Sequence, residues 1–427
     1  MGSSIAPVSA LLTGAAILLL GSGLQGTLIS VRAHLESFPV EVTGLIMSVY
    51  FVGYIVGYYL SPAIVHRVGH IRAYAAFTSV ASAVVLLYPL YVNAPFWFVL
   101  RLLSGICFSG IYMVVESWLN GAAANASRGR IFGIYMVVNL GALAAGQMFL
   151  VAYDPSSAKL FLIASALVSV GLVPVTLSRS PAPAITTPHP MPVRALYNIS
   201  PLGIVGCFGS GLTLGAFWGV GPLYAAGIGI SPTGVALFMC FTILGGVALQ
   251  WPLGWFSDHV DRRIVIVGAN FAIMVISFVF ALSVSRPFTS DLVLAILFGG
   301  FAFSLYSLCV AHANDFIPDE DKVAGTSGLL LAYGIGAAIG PFTAAAFMRA
   351  MGPQGLFVFA ALGCLIVGTF AAYRMRVRAP VPADERTKFV AMPRTSPVVL
   401  TLDPRTEAAP PDVPSEGAPA ADRSAVP

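Results

Sequence analysis

Few side chains in this 427-residue chain could do chemistry inside an apolar interior. Arg101 is a cation set among Leu, Val and Phe. Gln25 and Asn139 offer amides that both donate and accept. Tyr54, Tyr112, Trp218, Tyr306 and Tyr333 join ring faces to a polar tip, the mixture from which small-molecule pockets are built. No Asp or Glu falls near the centre of an apolar stretch. Glu116 and Asp315 lie toward one end of theirs, Asp154 and Asp291 toward the other. One central cation without an opposing acid favours a neutral or weakly anionic solute with an aromatic part. His312 could change charge near neutral pH. Movement of such a solute could be facilitated diffusion, or could couple to protons through Arg101, Glu116 or His312. The set orients and neutralises; it does not break bonds. No nucleophile–base pair, P-loop or ligand-spaced His, Cys and carboxylate cluster is present, so neither catalysis, ATP-driven pumping, metal transport nor a cofactor is expected. The cysteines Cys107, Cys207, Cys240, Cys309 and Cys364 all sit in apolar stretches, as small packing residues.

A second group of charges lies in loops. Gly254-Trp-Phe-Ser-Asp258-His259-Val-Asp261-Arg262-Arg263 sets a carboxylate one turn ahead of two cations. Such a carboxylate can cap the next helix and pair across the loop, latching one conformation. The stretch Pro62–Arg72 repeats Arg67, Gly69 and Arg72 but has His66 where the acid would stand. Glu116 is the candidate counter-charge there.

These residues must be positioned by elements suited to lipid. Hydrophobic residues make up 57% of the chain and charged ones 9%, against about 25% charged in soluble domains. A soluble or wholly disordered protein is excluded. The net charge of +4 without a long basic run argues against nucleic acid as a partner. A bilayer core of about 30 Å needs roughly 20 apolar residues per helix. Twelve stretches qualify, at approximately 8–31, 43–64, 73–92, 96–119, 131–152, 158–178, 201–226, 232–255, 264–284, 290–312, 323–347 and 354–374. They are apolar all round, which fits helices and not barrel strands. The first is read as a retained helix, since no Lys or Arg precedes it. Loops after even-numbered spans carry more Arg and Lys than those after odd-numbered ones, which predicts both termini in the cytoplasm.

The expected organisation is an N-terminal six-helix bundle over 1–178, a proline-rich cytoplasmic linker over 179–200, a C-terminal six-helix bundle over 201–375 and a disordered cytoplasmic tail over 376–427. The halves repeat weakly. A shift of 195 lays spans 4–5 on spans 10–11 without a gap, setting Gly105 on Gly300 and Gly141 on Gly336. Shared glycines point to shared close packing, and hence to two pseudo-symmetric bundles with a site between them.

The loop after span 8 resembles the signature of the major facilitator superfamily, G-x-x-x-D-(R/K)-x-G-x-(R/K)-(R/K). It departs from it at His259 and Asp261. Arg101-Leu-Leu-Ser104-Gly105 is similar to the family's R-x-x-Q-G, with Ser for Gln. Gly336-Ala-Ala-Ile-Gly340-Pro341 resembles its Gly-Pro helix-bend signature, whereas Gly141–Gln147 in span 5 lacks the proline of the drug-antiporter form. Short strings around Val115–Asn120, Leu24–Thr27 and Tyr333–Gly336 resemble the YcaD-like subgroup and, more distantly, riboflavin-uptake relatives.

The resemblance implies an all-α integral membrane fold of twelve helices in two bundles, working as a secondary transporter by alternating access. It would be a monomer in a bacterial inner membrane, with the lipid bilayer and a small-molecule solute as its partners. The solute path would use Gln25, Tyr54, Arg101, Tyr112, Asn139, Trp218, Tyr306 and Tyr333. The cytoplasmic latch would use Arg67, Gly69, Arg72, Glu116, Gly254, Asp258, Arg262 and Arg263, and the bend Gly336, Gly340 and Pro341. The subgroup favours uptake, of a riboflavin-like solute. Efflux of a drug or metabolite stays open, as does a non-transporting receptor or scaffold with a partner-binding tail.

Overall fold

A computed structural model of the chain describes residues 6–122, 128–177, 190–282, 286–382 and 385–396. Twelve of its helical segments are long and apolar enough to cross a bilayer. The first half holds α1 (Ala6–Leu35), α2 (Val40–Val68), α3 (His70–Leu87), α4 (Ala94–Ala122), α5 (Arg128–Gln147) and α6 (Lys159–Val170), the last continued by the short α7 (Leu172–Thr176). A short α8 (Val193–Ile199) lies in the linker. The second half holds α9 (Pro201–Gly227), α10 (Pro232–His259), α11 (Arg262–Leu282), α12 (Phe288–Asn314), α13 (Lys322–Met351) and α14 (Gly355–Val377). The expected all-helical architecture of twelve spans is what the chain forms. Local chemistry starts several helices. Ser200 and Ser231 each cap a helix whose first residue is proline, their hydroxyls accepting from Gly203 N at 3.3 Å and Gly234 N at 3.2 Å.

Lipid offers helices little hydrophobic drive to associate, so close backbone approach matters. The two halves use one device twice. A Cβ on Gly53 would lie 2.2 Å from the Leu102 carbonyl and one on Gly105 2.0 Å from that of Tyr50, joining α2 to α4. Gly245 against Ile296 (2.0 Å) and Gly299 against Thr242 (1.9 Å) join α10 to α12 in the same pattern. Likewise Gly23 and Gly146 join α1 to α5, and Gly211 and Gly336 join α9 to α13. The structural partner of Gly105 is therefore Gly299, not Gly300, and that of Gly336 is Gly146, not Gly141. The gapless shift of 195 is thus corrected by one residue in the first helix pair and by five in the second. Gly141 has open space where its Cβ would be.

The linker and the C-terminal segment lie at one end, here the linker face. Met191 N donates to Ala324 O (2.9 Å), and the Arg378 guanidinium donates to Ile199 O (2.7 Å). At the opposite, far face the halves touch directly. Arg349 pairs with Glu41 at 2.7 Å, Phe342 N donates to Ser48 Oγ at 3.0 Å, and Gly44 lies against Pro341 and Ala345.

The tail differs from expectation. Helix α14 runs to Val377, and residues 385–396, expected to be disordered, pass between the halves as irregular chain. Met392 is 1% exposed and Ser396 2%. The tail's polar composition hides a few apolar anchors, Phe389 and Met392, which find partners only in the folded bundle. Residues 179–189 of the expected linker and 397–427 of the expected tail lie outside the described residues.

Candidate functional site

A cavity of about 200 Å³ lies between the halves. Four helices of the first half (α1, α2, α4, α5) and three of the second (α9, α12, α13) line it, with Pro393, Arg394 and Thr395 of the tail. Seven of the eight side chains expected on a solute path line it: Gln25, Tyr54, Arg101, Tyr112, Asn139, Trp218 and Tyr333. Tyr306 is fully buried but lies behind the wall, its ring 5.1 Å from that of Tyr333. Sequence reasoning missed Tyr50 and Tyr58, which also line the cavity. Both are one helical turn from Tyr54, so an i, i+4 ring row on α2 was the available signal.

Two guanidiniums reach the cavity, Arg101 from α4 and Arg394 from the tail. Arg101 is the one held by a membrane-spanning helix. The Arg101 guanidinium carbon sits 4.4 Å over the Tyr50 ring, and no carboxylate pairs with it among the described residues. Its Nε, and Nδ2 of Asn139, have no hydrogen-bond partner there. Both side chains are over nine-tenths buried. Gln25 Nε2 reaches Ser104 Oγ at 3.5 Å. This pairing joins α1 to the position where the resembling motif carries Gln. Deeper in the first half, Thr27 donates to Gln147 Oε1 at 2.5 Å. Rings close the walls, with Tyr54 6.0 Å from Tyr50 and 6.3 Å from Tyr112, and Trp218 5.8 Å from Phe303. The arrangement can sandwich a flat ring and offer it a cation and amide donors. No cluster among the described residues could hold a metal ion.

The loop after α10 forms a charged knot. Arg262 is 1% exposed, and its guanidinium reaches Asp258 and Asp315, each at 2.8 Å, and Ala311 O at 2.9 Å. Arg263 pairs with Asp261 at 2.7 Å and donates to Arg378 O at 2.6 Å. Burial alone raises the Asp261 carboxyl, but the hydrogen bonds and charge of Arg263, with Arg386 behind it, hold it below the usual range. Asp261 thus serves as the cation's partner, although it occupies the signature's glycine position. Gly254 packs against the ring of Phe389. His312, next to this knot, faces Phe316 and does not line the cavity.

The corresponding loop of the first half has no such knot. Arg67 and Arg72 are exposed and form no ion pair among the described residues, and Gly69 makes the one-residue break between α2 and α3 at φ +83°. Glu116 is not their counter-charge. It is fully buried and accepts from Tyr135 Oη at 2.6 Å and from the hydroxyls of Thr395 and Ser396. No sequence pattern could pair residues so far apart. Gly336, Gly340 and Pro341 sit in α13, where the first two face backbone of α9.

Residues 203–405 match the sequence pattern of the Major Facilitator Superfamily. The chain is 28% identical over 359 residues to a protein of Escherichia fergusonii described as uncharacterized MFS-type transporter YcaD, covering 83% of this chain and 92% of that one. A protein of the same description from Salmonella heidelberg is 27% identical over 365 residues, covering 84% and 94%. Among solved structures, the nucleoside transporter NupG is similar with a TM-score of 0.72 and 13% identity, over 88% of this chain and 100% of its own. A bacterial homologue of the human lysosomal transporter Spinster, inward-facing and occupied, gives a TM-score of 0.69 and 12% identity, over 89% and 97%. At such identities the structures share the fold alone.

Proposed function

We propose that this chain, whose residues 203–405 match the Major Facilitator Superfamily and which is similar to the YcaD group, is a membrane-embedded transporter that carries a neutral or weakly anionic aromatic solute into the cell. The observation that carries this reading is Arg101, a buried guanidinium with no acid partner, set in a ring-lined cavity at the seam of two six-helix halves. A buried charge without a counter-ion costs several kcal/mol. A fold retains such a group where a ligand uses it. Rings and amides around Arg101 suit a flat, polar heterocycle with few formal charges, and riboflavin has that character.

The mechanism follows from where the halves touch. Direct contacts close the far face, and tail residues fill the passage on the linker-face side. Rocking the halves about the central seam would exchange which face is open, with Arg101 and the tyrosine row of α2 holding the solute at the pivot. The excess of Arg and Lys in the loops of the linker face supports a cytoplasmic side for that face and for both termini. Gln25, Asn139 and Trp218 orient the solute, while the Arg262 knot stiffens the second half.

The test is uptake of labelled riboflavin at low external concentration in a riboflavin auxotroph expressing this chain. Growth and label accumulation are expected with the intact chain and not with Arg101→Ala. No accumulation above the empty-vector strain, with the protein present in the membrane, would remove riboflavin as the solute.

A further inference from the structure

We propose that the vestibule between the two halves is a binding site for extended peptide, and that the chain's own segment Thr387–Ser396 occupies it as a plug that must leave before a solute can pass. The case begins with the second half. Arg262 donates to Thr387 O at 2.7 Å, and Asp315 accepts from Thr387 N at 3.0 Å and from its hydroxyl at 2.8 Å. Asp258 accepts from Phe389 N at 2.9 Å, and the Phe389 ring fills space that Gly254 leaves by lacking a Cβ. Ser307 accepts from Met392 N at 3.0 Å. The charged knot therefore spends part of its hydrogen-bonding capacity on tail backbone.

The segment then reaches the cavity. The Arg394 guanidinium carbon stands 4.9 Å over the Phe303 ring and 5.8 Å over that of Tyr333. Phe303 lies roughly 16 Å along α12 from its linker-face end, at 1.5 Å per residue. Beyond Arg394 the chain crosses to the first half. Tyr54 donates to Thr395 O at 2.7 Å, and the Thr395 and Ser396 hydroxyls donate to Glu116. One strand of backbone thus ties both halves together across the passage. Successive residues add partners to polar groups of the vestibule, and the Glu116 carboxylate, which also accepts from Tyr135, gains two hydroxyl donors. A chance contact would not match the backbone donors of Thr387, Phe389 and Met392 to Asp315, Asp258 and Ser307 in turn.

The plug rests on the reading of the cavity as a passage, but its test needs no solute. Leu331 lines the cavity alongside Pro393–Thr395. Leu331→Cys is introduced into the full chain, purified in detergent and reacted with a soluble maleimide, with the five native cysteines measured as background. Three proteins are compared: the full chain, the chain ending at Pro382, and the full chain carrying Thr395→Glu and Ser396→Glu, which sets like charge against Glu116. Labelling is expected to be about tenfold faster in the second and third than in the first. A synthetic peptide of Arg386–Ser396, added at millimolar concentration, is expected to slow the truncated protein again. Equal labelling rates in the full chain and either altered protein, where that protein is folded, would overturn the plug. Should truncation impair folding, the double substitution in the full chain decides alone. A negative riboflavin assay leaves this result standing.

Discussion

Arg101 sets two energies against each other. Leaving a guanidinium buried without a carboxylate costs several kcal/mol, and the Tyr50 ring returns about 2 kcal/mol when desolvated. The remainder is a deficit that the fold carries at this position. Arg101→Met is therefore expected to keep or raise the melting temperature of the purified protein while abolishing solute uptake. A fall equivalent to about 3 kcal/mol would show Arg101 to be a structural residue. Residue types at the site were legible because lipid tolerates few polar groups, so any amide or guanidinium in a span had to face inward. Whether inward meant the cavity or a seam between helices was not legible. Tyr306 shows the limit: it faces Tyr333 behind the wall, while Phe303 on the same helix meets Arg394. Glu116 shows another, since its partners come from a segment whose composition says nothing of where it docks.

At the scale of elements, span lengths could be read from apolar runs, because bilayer thickness sets them. Register between repeats could not, because Gly- and Ala-rich helices align plausibly at several offsets. The carbonyl-facing glycines resolve the matter and make a prediction. Gly146 and Gly336 would each place a Cβ within 2.3 Å of a neighbouring helix's carbonyl oxygen, which cannot swing aside. Alanine at either is expected to cost about 1–3 kcal/mol or more through forced helix separation. Gly141→Ala meets nothing within 4 Å and is expected to lie within about 0.5 kcal/mol of the parent. Unfolding of the three variants in mixed detergent reads the difference. A destabilised Gly141→Ala beside an unaffected Gly146→Ala would restore the uncorrected repeat alignment.

For the molecule as a whole, the far face is a light closure. The Glu41–Arg349 pair has its arginine 75% exposed, so it contributes at most about 1 kcal/mol. Packing of Gly44 against Pro341 and Ala345 does more, because a Cβ there would come within 2.4 Å of that of Ala345. Gly44→Leu should wedge α2 from α13 and open the far face. A cysteine at Met47, which lines the cavity near this contact, is then expected to react several-fold faster with a maleimide in the Gly44→Leu background. An unchanged rate would mean the far face is closed elsewhere.

The tether on the C-terminal segment has a quantitative consequence. Only a short stretch of chain separates the end of α14 from Thr387, so the segment is presented to the vestibule at an effective concentration on the order of millimolar. A peptide whose free affinity was only ~0.1 mM would then be engaged about 10:1 over disengaged. Weak intrinsic affinity thus suffices for high occupancy, and modest competition by a solute, a lipid or a cytoplasmic protein suffices to reverse it.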